Sequence, residues 1–347
     1  MYDVSELSQK RIRKFKSIKR GYYALILLSV LYLISFGLEF LANNKAILVR
    51  YQGKWYFPTF TYIPAKLFGG ANDAEPDYRE LQQHFQHEGA GNLVIMPIVP
   101  YSPTESLLDL PGSPPHPPSW EHPLGTDDRG RDVLVRLFYG FRISLSFGLQ
   151  VTFFSLLLGV FIGALQGYYG GRFDLTVQRM IEIWATVPQL YLVIIISSIF
   201  EPSYLWLMLI LILFGWMGMT FYIRAEVYRE KSKEYVQAAR ALGASDMAII
   251  FKHILPNALV PVITLAPFTL VGNIFALSAL DFLGFGLPAP TPSWGELMGQ
   301  GMGNIYSYWL SLSPISALFF TLLLVTFIGE AVREAFDPKS LNSLINE

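Results

Sequence analysis

Long apolar runs alternate with polar stretches along the 347-residue chain. Five of the runs are about 20 residues long, which at about 1.5 Å rise per residue suffices to cross a hydrocarbon core of about 30 Å. The sixth opens at Pro314 and continues past Ile328 into Glu330. The pattern predicts an all-α integral membrane protein with six transmembrane helices, at residues 22–42, 144–165, 180–200, 204–223, 258–280 and from 314 onward.

The first apolar run follows a polar tail, residues 1–21, that carries seven lysines and arginines. A cleaved signal peptide is the alternative explanation for this run. The run is long for a signal peptide, and Ala42 leads into Asn43-Asn44-Lys45 without an Ala-x-Ala cleavage site. The sequence therefore favours an uncleaved first membrane helix.

Residues 43–128 differ in composition, since they hold twelve of the 22 prolines and four of the five histidines. We expect a soluble insertion with one or two short strands within 51–62, a helix over 78–87 and extended chain over the proline-rich 111–118. His84 and His87 are spaced i, i+3, as in some metal sites. The motif places no acidic or thiol ligand with them, so the sequence favours a solvated helix face.

Two features concern the second membrane helix: one precedes it and one lies within it. Four apolar residues in front of it share one helical face: Val133, Leu134, Leu137 and Phe138. They predict an interfacial amphipathic helix, and Thr126 can cap the turn that precedes it. Within the span, Gly159 and Gly163 are four residues apart, a spacing that allows a neighbouring helix to pack closely.

Ionisable residues at membrane depth are candidates for function. Glu182 is one, with an ion pair to Arg179 three residues earlier as the alternative. Asp281 and Glu330 lie at the ends of their helices, where we expect them at the interface. The spans contain no ladder of acids or histidines, which argues against a proton-coupled carrier.

Other kinds of chemistry are excluded by what the sequence lacks. There are no cysteines, so disulfides and thiolate metal sites are ruled out, and the net charge of −1 gives no case for nucleic acid binding. No G-x-x-x-x-G-K-[ST], G-x-S-x-G or H-E-x-x-H motif occurs. The chain is therefore not expected to be an enzyme, and any uphill transport must draw energy from another polypeptide.

The distribution of lysine and arginine between the loops predicts the orientation. The N-terminal tail, the loops after the second and fourth spans and the C-terminal tail carry them, whereas residues 201–203 and 281–313 carry none. Both termini and the loop after the fourth span are thus predicted to face the cytoplasm. The long insertion faces the opposite side.

The polar loop at residues 224–257, here called the central loop, contains the sequence Glu-Tyr-Val-Gln-Ala-Ala-Arg-Ala-Leu-Gly-Ala-Ser from Glu234. It predicts a short helix, a C-cap or tight turn at Gly243, and a second helix stopped by Pro256. The loop resembles the EAA loop of bacterial ABC importer permeases, with Gln237 in place of the glutamate and His253 in place of an isoleucine. An ordinary cytoplasmic helical hairpin is the alternative.

Two further stretches resemble the dipeptide/oligopeptide/nickel group of the same permeases. One is "HPLGTD…GRD…R…YG.R.SL" from His122, and the other is "FLG.G…P.PSWG" from Phe282. We interpret the second as a Pro/Gly-locked outer loop with Trp294 as an interface anchor, which is compatible with a rigid re-entrant turn. The first span with its long insertion is most similar to the microcin C/peptide transporter subgroup.

The resemblance implies the type I importer permease fold in a bacterial inner membrane. It divides the chain into a cytoplasmic tail (1–21), helix 1 (22–42), a periplasmic insertion (43–128), a permease domain (129–335) and a second cytoplasmic tail (336–347). In this family the EAA loop docks into the ATPase subunit. The corresponding residues here are Glu234, Gln237, Ala238, Ala239, Gly243, Ala244 and Ser245.

The implied function is translocation of peptides, possible substrates including microcin C-like antibiotics, by an ATP-driven importer. The implied partners are a second permease, ATP-binding cassette subunits and a periplasmic substrate-binding protein. The resemblance implies no cofactor on this chain, because ATP and Mg²⁺ are used by the ATPase. The alternatives are a secondary peptide carrier, disfavoured by the lack of intramembrane acids, and a membrane-anchored binding module, disfavoured by five further spans.

The predicted orientation has a direct test, because single cysteines can be placed in a chain that has none. In intact spheroplasts, cysteines at Ser8, Ser232 and Ser343 are expected to resist a membrane-impermeant thiol reagent. Cysteines at Ser113 and Ser293 are expected to react. Labelling of Ser232→Cys from outside would contradict the orientation.

Overall fold

The computed structural model describes residues 4–88 and 91–337. Over these residues the chain is mainly helical. The helices are α1 Val4–Ser17, α2 Lys19–Ser35, α3 Leu38–Leu41, α4 Tyr78–Glu88, α5 Val133–Tyr169, α6 Gly171–Ala185, α7 Gln189–Ile199, α8 Tyr204–Lys231, α9 Glu234–Ala241, α10 Asp246–Ala248, α11 Leu255–Ala258, α12 Val260–Phe282, α13 Trp294–Gly303 and α14 Trp309–Phe336. A π-helix, Ile249–Ile254, joins α10 to α11, and the strands are β1 Leu48–Tyr51, β2 Lys54–Tyr56 and β3 Leu93–Ile95.

The membrane-spanning elements agree with the predicted all-α architecture. Among the described residues, α5, α8, α12 and α14 are each long and apolar enough to cross a membrane. The bent pairs α1–α2 and α6–α7 bring the number to six if each pair is one span. The fold class predicted from the apolar runs is confirmed, while the domain boundaries stay predictions.

Several helices differ from their predicted course for local reasons. The first apolar run is divided between α2 and the short α3. The polar tail before it forms α1, and the axes of α1 and α2 differ in direction by 91°. The third run is divided into α6 and α7 with a bend of 68°. Proline lacks an amide hydrogen and restricts the residue before it, so Val187-Pro188 interrupts the helix. The predicted amphipathic helix is the beginning of the 37-residue α5, without a break before the span.

The described residues pack into two units. One comprises the described parts of 1–29, 144–288 and 319–347, and the other comprises those of 30–143 and 289–318. In the first unit, α5 and α8 approach closely at glycines. A Cβ at Gly159 would lie 2.6 Å from the Trp216 carbonyl oxygen, and one at Gly163 would lie 2.7 Å from that of Thr220. The close packing predicted from these two glycines is therefore confirmed.

Ion pairing and small residues fix the other helices of the first unit. Arg224 on α8 donates two hydrogen bonds to the Asp174 carboxylate on α6, at 2.6 and 2.5 Å. On α14, Gly329 leaves room for the Pro267 ring of α12, since a Cβ there would lie 3.1 Å from Pro267 Cβ. The ring thus packs against a neighbouring helix within the span.

The insertion of the second unit has its own apolar core. Its antiparallel sheet has the order β2-β1-β3, with Val49 opposite both Tyr56 and Val94. Gln52 and Gly53, both with positive φ, form the two-residue turn between β1 and β2. Helix α4 covers the sheet through buried Tyr78 and Phe85, and the helix predicted over 78–87 is confirmed.

A buried ionic network lies at the start of α5. Arg131 Nε donates to Asp127 Oδ2 at 2.6 Å and Arg131 Nη2 donates to Glu296 Oε1 at 3.0 Å, while Arg136 also pairs with Glu296. Asp132 Oδ1 accepts from the Val135 amide at 2.9 Å and so caps α5. The network accounts for the buried charged residues of the sequence that begins at His122, since buried charges require partners.

Two expectations for this unit are wrong. Thr126 does not cap a helix, because its hydroxyl accepts from the His116 amide at 2.8 Å. Trp294 is not an interface anchor: it is 1% exposed, begins α13, and its indole nitrogen donates to the Leu137 carbonyl at 3.0 Å. The ring requires Gly140, where a Cβ would lie 2.9 Å from Trp294 Cδ1. Tryptophan in a loop after an apolar span suits both roles, so the sequence did not distinguish them.

The structure also changes the labelling expectation at one position. Ser293 is 2% exposed and its hydroxyl accepts from the Glu296 amide, so a cysteine there would be shielded from reagent on either side. Ser113 is exposed and remains the suitable outer probe. Ser343 and the C-terminal tail beyond residue 337 lie outside the described residues.

The close contact of α5 with α8 predicts opposite effects for the same substitution at two glycines. Alanine is favoured over glycine inside a helix by about 0.5–1 kcal/mol. We expect Gly218→Ala to maintain or raise the melting temperature of the detergent-solubilised protein, because nothing lies within 4 Å of a Cβ there. Gly163→Ala should lower it, because overpacking costs about 1–3 kcal/mol. Equal melting temperatures for the two variants would contradict the packing.

Candidate functional site

The central loop is a compact helical segment whose turn is formed by backbone hydrogen bonds. The Gly243 amide donates to the Arg240 carbonyl at 3.0 Å and the Ala244 amide donates to that of Ala239 at 3.1 Å. With Gly243 at φ +82°, this is a Schellman motif that ends α9. The C-cap predicted at Gly243 is confirmed, because only glycine adopts this conformation without strain.

After the turn, Ser245 begins the second helical part. Its hydroxyl accepts from the Ala248 amide at 3.4 Å, as an N-cap does. The chain then forms the π-helix, and the Leu255 amide donates to the Ile250 carbonyl, five residues earlier. Pro256 cannot donate to the carbonyl four residues before it, so widening of the helix relieves the conflict. The prediction that Pro256 stops the helix is wrong. Pro256 lies in the first turn of α11, where its missing amide is tolerated.

The inner face of the central loop is fully buried. Ile249, Ile250 and Ile254 are each 0% exposed. They belong to one apolar cluster with residues of α5, α8 and α9: Ala164, Tyr168, Ile223, Val227, Val236 and Ala239. Burying one isoleucine stabilises by about 1.5–3 kcal/mol, so this face holds the loop firmly on the ends of α5 and α8.

Tyr168, near the end of α5, is the polar centre of this contact. Its hydroxyl donates to Asp246 Oδ1 at 2.5 Å and accepts from Arg240 Nη2 at 3.2 Å. The Lys231 ammonium group donates to the main-chain carbonyl of Tyr168. The Lys231 nitrogen and the Arg240 guanidinium also lie 5.3 and 5.8 Å from its ring centre, where cation–π attraction contributes. One residue of α5 thus contacts both sides of the Gly243 turn.

A second set of hydrogen bonds joins the two ends of the central loop. The Glu230 carboxylate accepts from Lys233 Nζ at 2.7 Å and from the Tyr235 hydroxyl at 2.9 Å. Asn257 donates to the Tyr235 hydroxyl at 3.4 Å and to the His253 carbonyl at 3.0 Å. Burial raises the pKa of Tyr235, and its hydrogen bond to Glu230 raises it further, against a lowering by Asn257. Tyr235 therefore stays a protonated donor at neutral pH.

The outer face of the loop is open and partly apolar. Leu242 is 89% exposed and Met247 is 48% exposed. Five of the predicted site residues are also exposed: Glu234, Gln237, Ala238, Gly243 and Ser245. Ala244 is half-buried. Ala239 is buried in the inner cluster, so of the neighbouring Ala238 and Ala239 only Ala238 contributes to the open surface.

The sequence did not single out three residues of this site. Leu242 and Met247 carry no signal because an isolated apolar residue on a helix is more often inside. Tyr168 lies 78 positions from Asp246, so only the folded chain brings the two together.

The other ionisable candidates have structural partners. Glu182 pairs with Arg179 at 2.6 Å, as the ion-pair interpretation predicted. His84 is exposed and lies 3.6 Å from Glu88. Within residues 4–88 and 91–337, no group of three or more His, Cys, Asp or Glu side chains could hold a metal ion.

Comparison with known proteins gives consistent matches. Residues 156–342, more than half of the chain, match the family of binding-protein-dependent transport system inner membrane components. The chain is 44% identical to the inner membrane ABC transporter permease protein YejE of Escherichia coli (strain K12), covering 97% of this chain and 99% of that protein. It is 41% identical to the peptidoglycan transport system permease protein YejE of Agrobacterium fabrum, over 96% of this chain and 94% of that protein.

A more distant relative matches over a smaller part. The oligopeptide transport system permease protein OppC of Bacillus subtilis (strain 168) is 35% identical over 64% of this chain and 73% of that protein. The family match includes the whole central loop and the helices on either side of it. The chain belongs to the binding-protein-dependent inner membrane components, the permeases of ABC transporters, and is a multi-pass protein of the inner membrane.

Proposed function

We propose that this chain is the translocation subunit of an ATP-driven importer that carries peptides across the inner membrane. The substrate class follows the relatives, of which one is named for oligopeptide and another for peptidoglycan transport. Microcin C-like peptide antibiotics are included in the proposed substrates. ATP is hydrolysed by a separate subunit that also binds the Mg²⁺, and this chain binds no cofactor.

The observation that carries the mechanism is the two-faced central loop. Its inner face is fixed to α5 and α8, and its outer face exposes Leu242 beside the open turn at Gly243. An exposed apolar side chain next to a small turn suits docking into a cleft of a soluble partner. A displacement of the loop by the ATPase is then passed to the ends of both helices, which gives alternating access.

The proposed assembly contains a second, homologous permease, two ATPase subunits and a substrate-binding protein outside. Both termini and the central loop face the cytoplasm, supported by the lysines and arginines of these segments. The insertion at residues 43–128 then faces the periplasm. A secondary peptide carrier or a membrane-anchored binding module would not co-purify with an ATPase, so co-purification separates the three candidate functions.

Gly243→Leu is expected to weaken binding of the ATPase and peptide uptake. A leucine at φ +82° strains the backbone by about 1–2 kcal/mol, and overpacking of the docked surface costs about 1–3 kcal/mol. At 1.4 kcal/mol per factor of ten, binding falls roughly tenfold to several-hundredfold. The measurements are pull-down of the ATPase and ATP-driven uptake in proteoliposomes.

The matched control for strain alone is Gly53→Leu. Gly53 also has a positive φ, +78°, with nothing within 4 Å of a Cβ, but it lies in the insertion. We expect it to keep ATPase binding and uptake near wild type. Gln237→Glu should be mild, because it restores the usual residue of the EAA loop on a polar face. If Gly243→Leu binds the ATPase and transports as well as Gly53→Leu does, the central loop is not the coupling element.

Tyr168→Phe tests the connection between the loop and α5 separately from docking. It removes the hydroxyl that bonds Asp246 and Arg240, and a hydrogen bond to a charged group contributes about 1.5–3 kcal/mol. We expect amide hydrogen exchange in residues 242–254 to quicken by about tenfold or more. Uptake should fall while the ATPase still binds.

Tyr169→Phe is the control for the neighbouring position. Tyr169 is 45% exposed and its ring packs against Phe173, a contact that phenylalanine retains. Exchange and uptake should match the wild type in this variant. Unchanged exchange in Tyr168→Phe would show that Tyr168 does not hold the loop.

A further inference from the structure

The insertion presents an uncharged aromatic turn. Residues 55–65, between Lys54 and Lys66, contain no charged side chain. Four large aromatic residues of this stretch are at least half exposed: Trp55 at 52%, Phe57 at 51%, Phe60 at 71% and Tyr62 at 62%. An apolar patch of this kind marks an interaction surface.

The turn is ordered, so the aromatic residues are held in their exposed positions. The amides of Phe60 and Thr61 donate to the Phe57 carbonyl at 3.1 and 3.2 Å. The Thr59 hydroxyl donates to the Ala46 carbonyl at 3.0 Å, and Ile63 is buried in the core of the insertion. The Tyr62 hydroxyl donates to the Asp73 carbonyl, and the Arg50 guanidinium lies 5.5 Å from the Trp55 ring centre. The turn is therefore fixed to the insertion while its four rings stay at least half exposed.

The turn lies beside the end of α2. The Phe60 ring centre is 5.6 Å from that of Phe40 on α3, which follows α2 after a short turn. Phe36 and Tyr32 extend this row along the helix, with ring centres 4.9 Å apart. Phe36 is 57% and Phe40 is 40% exposed, so each of the two ring pairs presents an exposed aromatic side chain near the end of α2.

Charges locate the membrane boundary at this level. The uncharged stretch of α2 and the turn after it, residues 21–37, spans about 26 Å at about 1.5 Å per residue, close to a hydrocarbon core of about 30 Å. At the end of this stretch, Arg142 Nη1 donates to the Ser35 carbonyl at 3.1 Å and, just beyond the stretch, to Glu39 Oε1 at 3.0 Å. An ion pair is expected at the water side of the boundary, and Phe40, which follows Glu39 directly, brings the Phe60 ring next to it.

We propose that the turn at residues 55–62 is a membrane anchor, which lies in the headgroup region of the bilayer at the Ser35 end of α2. Lipid is favoured over a protein partner because the turn adjoins the span and lacks charge. Aromatic rings at that depth bury apolar surface while their backbone stays hydrated. The anchor would fix the insertion at the membrane surface. This inference depends on α2 as a span, and not on the orientation or the coupling role of the central loop.

The test uses spin labels in the full transporter, reconstituted in nanodiscs of phosphatidylethanolamine and phosphatidylglycerol. Because the chain has no cysteine, nitroxides can be attached singly at Phe60→Cys and, independently, at Phe57→Cys. The matched control is Leu108→Cys, which is 83% exposed in the same insertion. Collision rates with oxygen, which enters bilayers, are compared with those of a water-soluble nickel chelate. Size-exclusion profiles establish that each variant is folded.

The labels at positions 60 and 57 are expected to collide more with oxygen than with the chelate, whereas the label at position 108 should show the reverse. Chelate accessibility equal to that of position 108 would overturn the proposal, since the turn would be in water. Immobilised labels shielded from both reagents would also overturn it, since a protein would cover the turn. If only one of the two variants folds, the folded variant decides.

Discussion

The central constraint on this structure is the backbone contact between α5 and α8. Gly159, Gly163 and Gly167 are four residues apart, and Cβ atoms on them would lie 2.6 to 2.7 Å from three carbonyl oxygens of α8. Those carbonyls belong to Trp216, Thr220 and Arg224, which have the same spacing. Any sliding of one helix along the other would place side chains where only glycine fits, so the register of the pair is fixed.

The fixed register determines what lies at the ends of the two helices. Tyr168 follows the last of the three glycines directly, and Val227 lies one turn after Arg224. Both residues enter the cluster that buries the inner face of the central loop. The hydroxyl of Tyr168 reaches Asp246 and Arg240 only at this register. The position of the candidate coupling surface is thus set by helix packing within the membrane domain.

The sequence predicted features with local causes and missed those set by distant contacts. Apolar runs predicted the spans, and Gly243 predicted a turn, because length and positive φ are local properties. Gly167 was missed because it lies after the predicted end of its span, although its Cβ would lie 2.6 Å from the Arg224 carbonyl. Trp294 was misplaced because its hydrogen-bond partner Leu137 is 157 positions away. The π-helix arises from Pro256 acting on a helix that tertiary packing maintains, which local propensity does not describe.

The central loop is held to its neighbours by one buried apolar cluster, and the members of this cluster decide which helices follow the loop. Toward α5 and α8 the loop buries Ile249, Ile250 and Ile254 completely, at about 1.5–3 kcal/mol each. Toward α12 the chain passes Pro256 and a break at Leu259, but Ala258 is buried in the same cluster and Val262 of α12 packs against it. Separation of the loop from α5 and α8 would expose the isoleucines, and a large bend at Leu259 would open the contacts of α12 with the same cluster. A force on the loop is therefore transmitted to α5 and α8 and, through the same cluster, to the start of α12.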